Sequence, residues 1–106
     1  MQMEILMEVL ESYRDANGDL IELKQYGEDT FYHYKNGLLH REDDLPAIEG
    51  PNGYKEWYMN GKLHREKGKA FECVLEFDYE WYYKGIGVPC NTQEEFERLI
   101  RLSLFW

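Results

Sequence analysis

The side chains best suited to chemistry recur as a triplet, His40-Arg41-Glu42 and again His64-Arg65-Glu66. An imidazole beside a carboxylate can move protons, and a guanidinium can hold an anion. Neighbouring residues on a strand point to opposite faces, however, so the His and Arg of one triplet cannot converge on one substrate atom. Local structural roles are expected instead. Glu56 pairs with Arg65 across strands, Tyr32 packs on Arg41, and both histidines bond to nearby backbone or tyrosine groups. No glycine-rich phosphate loop, nucleophile elbow or H-E-x-x-H helix accompanies the triplets. The chain reads as a non-enzyme, with no catalytic residue and no cofactor.

Two alternatives use the same residues. His33 and His40, facing each other across a hairpin, could ligate zinc with Cys73, Cys90 or Glu42, although a half-exposed aromatic pair without metal fits equally well. Trp57 and Tyr58 offer stacking surfaces, and Arg41 and Arg65 offer phosphate donors, for capture of a nucleotide. The acidity of the chain and the expected burial of Trp57 oppose that second use.

The triplets sit inside a repeat. Y-K-N-G-L-L-H-R-E, from Tyr34 to Glu42, returns 24 residues later as Y-M-N-G-K-L-H-R-E, from Tyr58 to Glu66. A decayed copy, Y-Y-K-G-I-G-V-P, begins at Tyr82. Such a period marks stacked supersecondary units. Asn-Gly is the strongest short hairpin signal, because both central residues of the tight turn need positive φ. It occurs four times, at 17–18, 36–37, 52–53 and 60–61, with a six-residue strand, Tyr54–Met59, between the last two. Turns this tight dictate antiparallel pairing. The turn at Asn60-Gly61 sets Tyr58 against Leu63, Trp57 against His64 and Glu56 against Arg65. Trp57, Met59 and His64 then share a face. The same register sets Trp81 against Val88 and His33 against His40. Leu75, Phe77, Tyr79, Trp81 and Tyr83 alternate with Glu76, Asp78 and Glu80, a half-buried strand.

The period changes near the end of the chain. Thr92 is an N-cap with Glu95 three residues on, and Phe96, Leu99, Ile100 and Ser103 follow at helical spacing. The spacing predicts a helix over about 93–104, with Glu94–Arg98 and Glu97–Arg101 as supporting pairs, packed on the open end of the sheet. Residues 3–14 fit either a helix, through Ile5, Leu6, Val9, Leu10 and Tyr13, or a strand at 8–15 leading into Asn17-Gly18. The expected fold is mainly β (α+β): a twisted antiparallel β-meander of repeats capped by a C-terminal helix. One domain spans 1–106, with an acidic hairpin segment at 1–25, three repeats at 26–90 and the capping helix at 91–106.

Composition bounds the function. A chain of 106 residues suits one domain and needs neither metal nor disulfide to fold. Cys73 and Cys90 are read as reduced thiols. There is no apolar stretch near 18 residues and no signal-peptide pattern, so a soluble, cytoplasmic protein without membrane contact is expected. The net charge of −9 is uneven: eight acids stand against Arg14 and Lys24 in residues 1–30. Asp15, Asp19, Glu22, Glu28 and Asp29 surround the expected turn and the approach to the first repeat. An acidic surface repels phosphate backbones, so direct nucleic-acid binding is disfavoured, whereas a basic protein partner is favoured.

The repeat resembles the W-Y-x-N-G-x-x-H-R-E-x-G-P-A units found in tandem in small proteins of bacteriophages, large DNA viruses and some bacteria. The matching residues are Trp57, Tyr58, Asn60, Gly61, His64, Arg65, Glu66 and Ala70. In the first copy they are Tyr34, Asn36, Gly37, His40, Arg41, Glu42, Pro46 and Ala47. Asn91 to Trp106 is similar to the terminal helix of such proteins. His33 in place of Trp, Lys69 in place of Pro, and the loss of His and Arg from the third copy are departures. The resemblance, over about residues 26–106, implies a phage or mobile-element origin. Joined to the acidity, it suggests an accessory protein that inhibits a host defence factor, such as a nucleic-acid-binding nuclease or an anti-CRISPR target. A nucleotide sponge using Arg41, Trp57, Tyr58 and Arg65 is the alternative.

Overall fold

The computed structural model describes residues 7–73 and 80–102. Its antiparallel sheet carries strands in the order β1 (Met7–Arg14), β2 (Leu20–Tyr26), β3 (Thr30–Lys35), β5 (Ile48–Glu49), β6 (Lys55–Glu56) and β9 (Phe71–Glu72). The short β4 (Leu38–Leu39) pairs with the end of β3. Two tip hairpins stand apart from this sheet, β7 (Tyr58–Met59) with β8 (Lys62–Leu63), and β10 (Tyr82–Tyr83) with β11 (Ile86–Gly87). The helix α1 (Gln93–Leu102) follows. The chain is thus mainly β, a meander capped by one helix among the described residues.

The ambiguous start resolves as strand from Met7, and residues 3–6 lie outside the described set. Its hairpin loop differs from the tight turn expected. Gly18 has φ +83, but Asn17 does not share positive φ. The Asp15 carboxylate instead accepts the N–H groups of Asn17 and Asp19 at 2.9 and 3.0 Å, which closes a longer loop. At Asn36-Gly37, Asn52-Gly53 and Asn60-Gly61 both residues are left-handed, as the turn chemistry demands. In the third copy Lys84 takes the same conformation, with φ +50.

Tyr58 faces Leu63, and the N–H groups of His40, His64 and Val88 donate to the carbonyls of His33, Trp57 and Trp81. The expected six-residue strand is broken at Trp57, however. Strand β3 stays continuous because β2 pairs along its other edge from Tyr26↔Thr30 to Ile21↔Lys35. The second repeat has no such neighbour. There the chain leaves the sheet after Glu56, and the Trp57 N–H donates to the Ala70 carbonyl.

That break corrects the side-chain pairings. Glu56 pairs with Ile48 and Phe71, and Arg65, beyond the end of β8, lies over the Trp57 ring at 3.8 Å. Strict alternation ends where the strand ends, so Trp57 shares contact with Arg65 as well as register with His64. Tyr32 packs against Tyr26, with ring centroids 4.6 Å apart, and stacks with Tyr34; Arg41 binds Glu49 and the Pro46 carbonyl instead. The alternating stretch at 74–79 lies outside the described residues.

The Thr92 hydroxyl caps α1 by accepting the Glu95 N–H at 3.1 Å. Phe96 is fully buried against Trp81 and Val88, with Tyr83, Cys90, Leu99 and Ile100 around them. The helix therefore closes the stack at its third hairpin, while Ser103 lies outside the described residues. Neither expected i,i+4 ion pair forms among the described residues; Glu97 accepts from Gln93, whose amide also donates to the Glu66 carbonyl at 2.6 Å.

The molecule is a slab of 48 × 38 × 20 Å, and its radius of gyration of 15.6 Å exceeds the roughly 13 Å of a compact domain of about 100 residues. A molecule this thin leaves strand β1 exposed and strands β2 and β3 partly open to solvent. No helix among the described residues is long and apolar enough to cross a membrane.

Candidate functional site

Each repeat uses its histidine to carry the next. The turn residue Asn60 donates its backbone N–H to His40 Nδ1 at 3.0 Å, and Lys84 donates to His64 Nδ1 at 2.9 Å. Gly61 and Gly85 add backbone bonds to the Leu39 and Leu63 carbonyls, each 2.8 Å. Since Nδ1 accepts, the ring proton sits on Nε2, which faces the carboxylate two residues on: Glu42 at 2.8 Å and Glu66 at 3.6 Å. The His40 bond holds the Glu42 carboxyl below its ordinary pKa, with the Lys35 ammonium helping. Burial lowers the His64 pKa. Burial, aided by the Arg41 charge, pushes His33 down to about 4.

The arginines close the loop of their own repeat. Arg41 Nη1 donates to the Pro46 carbonyl and to Glu49, at 3.1 and 3.0 Å. Arg65 Nη1 donates to the Lys69 carbonyl at 3.1 Å, while Nε and Nη2 fork onto Asp44 at 2.9 and 3.3 Å. The Trp57 indole donates to the Asp44 carbonyl at 3.0 Å. The histidines and arginines of the triplets are thereby committed to holding the stack.

The loop from Arg41 to Leu45 separates two grooves, of about 500 and about 370 Å³. The first is lined by Arg41, Trp57, Tyr58 and Arg65 together with Glu42, Asp43, Asp44 and Glu66. All four residues of the nucleotide alternative thus meet around one space. Trp57 is nevertheless 6% exposed beneath Arg65, and both guanidiniums are engaged with carboxylates. The second groove brings Glu11, Asp15, Glu22, Glu42 and Asp43 around Ile21, Leu23 and His33. Together the two grooves hold seven carboxylates against the four cations Lys35, Arg41, Arg65 and Lys67. Lys35, Arg41 and Arg65 are already ion-paired.

Of the five acids singled out from sequence, the structure gathers only part. Asp15 organises its loop, and Asp19 is held by Asn36 at 2.8 Å and by Lys35 at 3.6 Å. The Asn36 bond keeps the Asp19 carboxyl below its usual range. Glu22 lines the second groove. Glu28 and Asp29 are exposed at the far end of β2, about 20 Å away at strand rise. The groove acids outside the five singled out from sequence are Glu11, Glu42, Asp43, Asp44 and Glu66. For Glu42, Asp43 and Asp44 the signal was the R-E-D-D run at 41–44, counted with the repeat rather than with the acidic segment.

No group of three or more His, Cys, Asp or Glu is placed to hold a metal among the described residues. Both nitrogens of His40 are taken, which removes it from the zinc arrangement. Cys73 and Cys90 are free thiols, and burial raises the Cys90 pKa. No family model, curated protein or solved structure matches the chain.

Proposed function

We propose that the chain is a non-enzymatic protein-binding module that engages a basic protein surface. In this reading it is an accessory protein that occupies the groove of a nucleic-acid-binding host protein, a defence nuclease being the kind of partner that fits, in the host cytoplasm. The observation that carries the proposal is the pair of adjoining grooves, rich in carboxylates, whose cations are largely neutralised within the fold. A surface of this sign competes with phosphate for the same positive field. The resemblance to phage and viral repeat proteins motivates the choice of a host target. Glu11, Asp43 and Glu66 are exposed on these grooves, and Glu28 and Asp29 are exposed separately at the far end of β2.

The test is differential capture. Native protein and a Glu11→Gln, Asp43→Asn, Glu66→Gln variant serve as bait for host extract, followed by competition with nucleic acid. A partner held by the native chain, lost with the variant and displaced by nucleic acid supports the reading. A partner retained equally by both contradicts it.

A nucleotide sponge remains the second reading, because Arg41, Trp57, Tyr58 and Arg65 line one groove. A nucleotide that co-purifies with the native chain, detected as excess absorbance at 260 nm, would favour it.

A further inference from the structure

Glu56 is a buried carboxylate, 9% exposed, and no ion pair neutralises it among the described residues. A buried charge is ordinarily balanced by an opposite charge as well as by hydrogen bonds. Here only the bonds are supplied: Tyr54 Oη donates to Oε2 at 2.7 Å, and Tyr58 Oη donates to Oε1 at 3.0 Å. Tyr54, Glu56 and Tyr58 meet on one side of the chain. Tyr32 lies in register with Ile48, which is in register with Glu56, so its ring belongs to the same side of the sheet. Tyr32, Tyr54 and Tyr58 are each half-buried, leaving part of every ring open to solvent.

We propose that Tyr32, Tyr54 and Tyr58, set around the Glu56 carboxylate, form a recognition site for a cationic side chain of a protein partner, arginine above all. Three features fit this occupant. A phenol that donates to a carboxylate becomes a stronger acceptor, and its oxygen keeps a lone pair for a guanidinium N–H. Aromatic faces attract a cation set over them, and arginine stacks on them more readily than lysine. The group at the centre is a carboxylate with no cation beside it among the described residues, so a cationic side chain is the complementary occupant. The same face already uses this chemistry internally, since the Lys24 ammonium lies 4.8 Å above the Tyr34 ring centroid. Burial first, and then the Glu56 carboxylate to which they donate, raises the pKa of Tyr54 and Tyr58 above the ordinary phenol value.

This site rests on the reading of the chain as a binder of basic proteins, but it lies apart from the acidic grooves in all but Tyr58, and a small probe tests it alone. Tyrosine ring resonances are followed by NMR as N-acetyl-arginine amide is added to the native protein. N-acetyl-citrulline amide, of nearly the same shape without the charge, is the control. Saturable shifts at Tyr32, Tyr54 and Tyr58 are expected with the arginine probe only. Glu56→Gln, which keeps the size and one acceptor, should weaken that response at least tenfold. If this variant fails to fold, Tyr32→Ala should weaken it severalfold in its place. No saturable response in the native chain, equal response to citrulline, or full affinity in the folded variants would overturn the proposal. A partner retained equally by the native chain and the groove variant would sink the electrostatic reading without changing the probe result, so the two readings fail separately.

Discussion

Nδ1 of His40 accepts the backbone N–H of Asn60 at 3.0 Å, across 20 residues of chain, and so suspends the second hairpin turn from the first repeat. His64 repeats the bond to Lys84. The third copy has Val88 at this position, where the helix packs and no further hairpin among the described residues needs a carrier. Replacing His40 by Val should therefore destabilise by about 1–3 kcal/mol, the cost of a part-buried N–H losing its partner. His64→Val should cost less, about 1 kcal/mol, because the Lys84 turn is solvent-exposed. Both variants should fold, and urea unfolding measures the difference. No loss in either variant would show that these bonds do not hold the stack, and equal losses would show that exposure of the Lys84 turn does not weaken its bond.

Gly61, at φ +81, would place a Cβ 3.4 Å from Leu38 Cδ2 of the preceding hairpin. Gly61→Val combines a β-branched residue in the left-handed region with that contact. A loss of about 2–3 kcal/mol is expected from the backbone strain. A thermal melt that barely moves would contradict the tight-turn assignment.

Protonation should loosen the fold at mildly acid pH. The pKa of His33, lowered to about 4 first by burial and then by Arg41, lies below its ordinary value, as does that of His64. The native state thus binds fewer protons than the unfolded chain. Stability is fully present above about pH 6.5 and is lost as the pH falls toward about 4. Melting temperature should be flat between about pH 7 and 8 and fall below about pH 6.5. A His33→Phe variant should flatten part of that fall. An unchanged slope in the variant would exclude His33 as a source.

Much of this architecture was legible from local signals. Asn36-Gly37 and Asn60-Gly61 require positive φ, and Thr92 caps the helix whichever way it packs. The partners of Glu56 were not legible, because alternation predicts a pairing only while the strand lasts, and this one ends at Trp57. The histidine bonds were hidden for a different reason. They join hairpins that meet only after stacking, so no short window of sequence contains both ends. The candidate site suffered similarly: the loop at 41–44 joins Glu11 and Glu66 at the surface although they are far apart in the chain.

Arg65 is held by shape as well as charge. Its guanidinium lies 3.8 Å above the Trp57 ring centroid and forks onto Asp44. Lysine keeps the charge but loses the planar fork and the stacking surface, so Arg65→Lys should cost about 1–2 kcal/mol. Denaturant unfolding followed by tryptophan fluorescence measures it. A neutral outcome would mean that the ion pair, and not its geometry, secures the loop.

The central functional claim is electrostatic, and association kinetics at two ionic strengths test it most directly. Native chain and the Glu11→Gln, Asp43→Asn, Glu66→Gln variant are compared on the captured partner, with far-ultraviolet circular dichroism confirming the fold. Steering acts through the summed field and is screened over roughly 10 Å at about 0.1 M salt. The account predicts a slower association rate for the variant at low salt and a flatter salt dependence. An association rate that is the same for both proteins at both salts would contradict it.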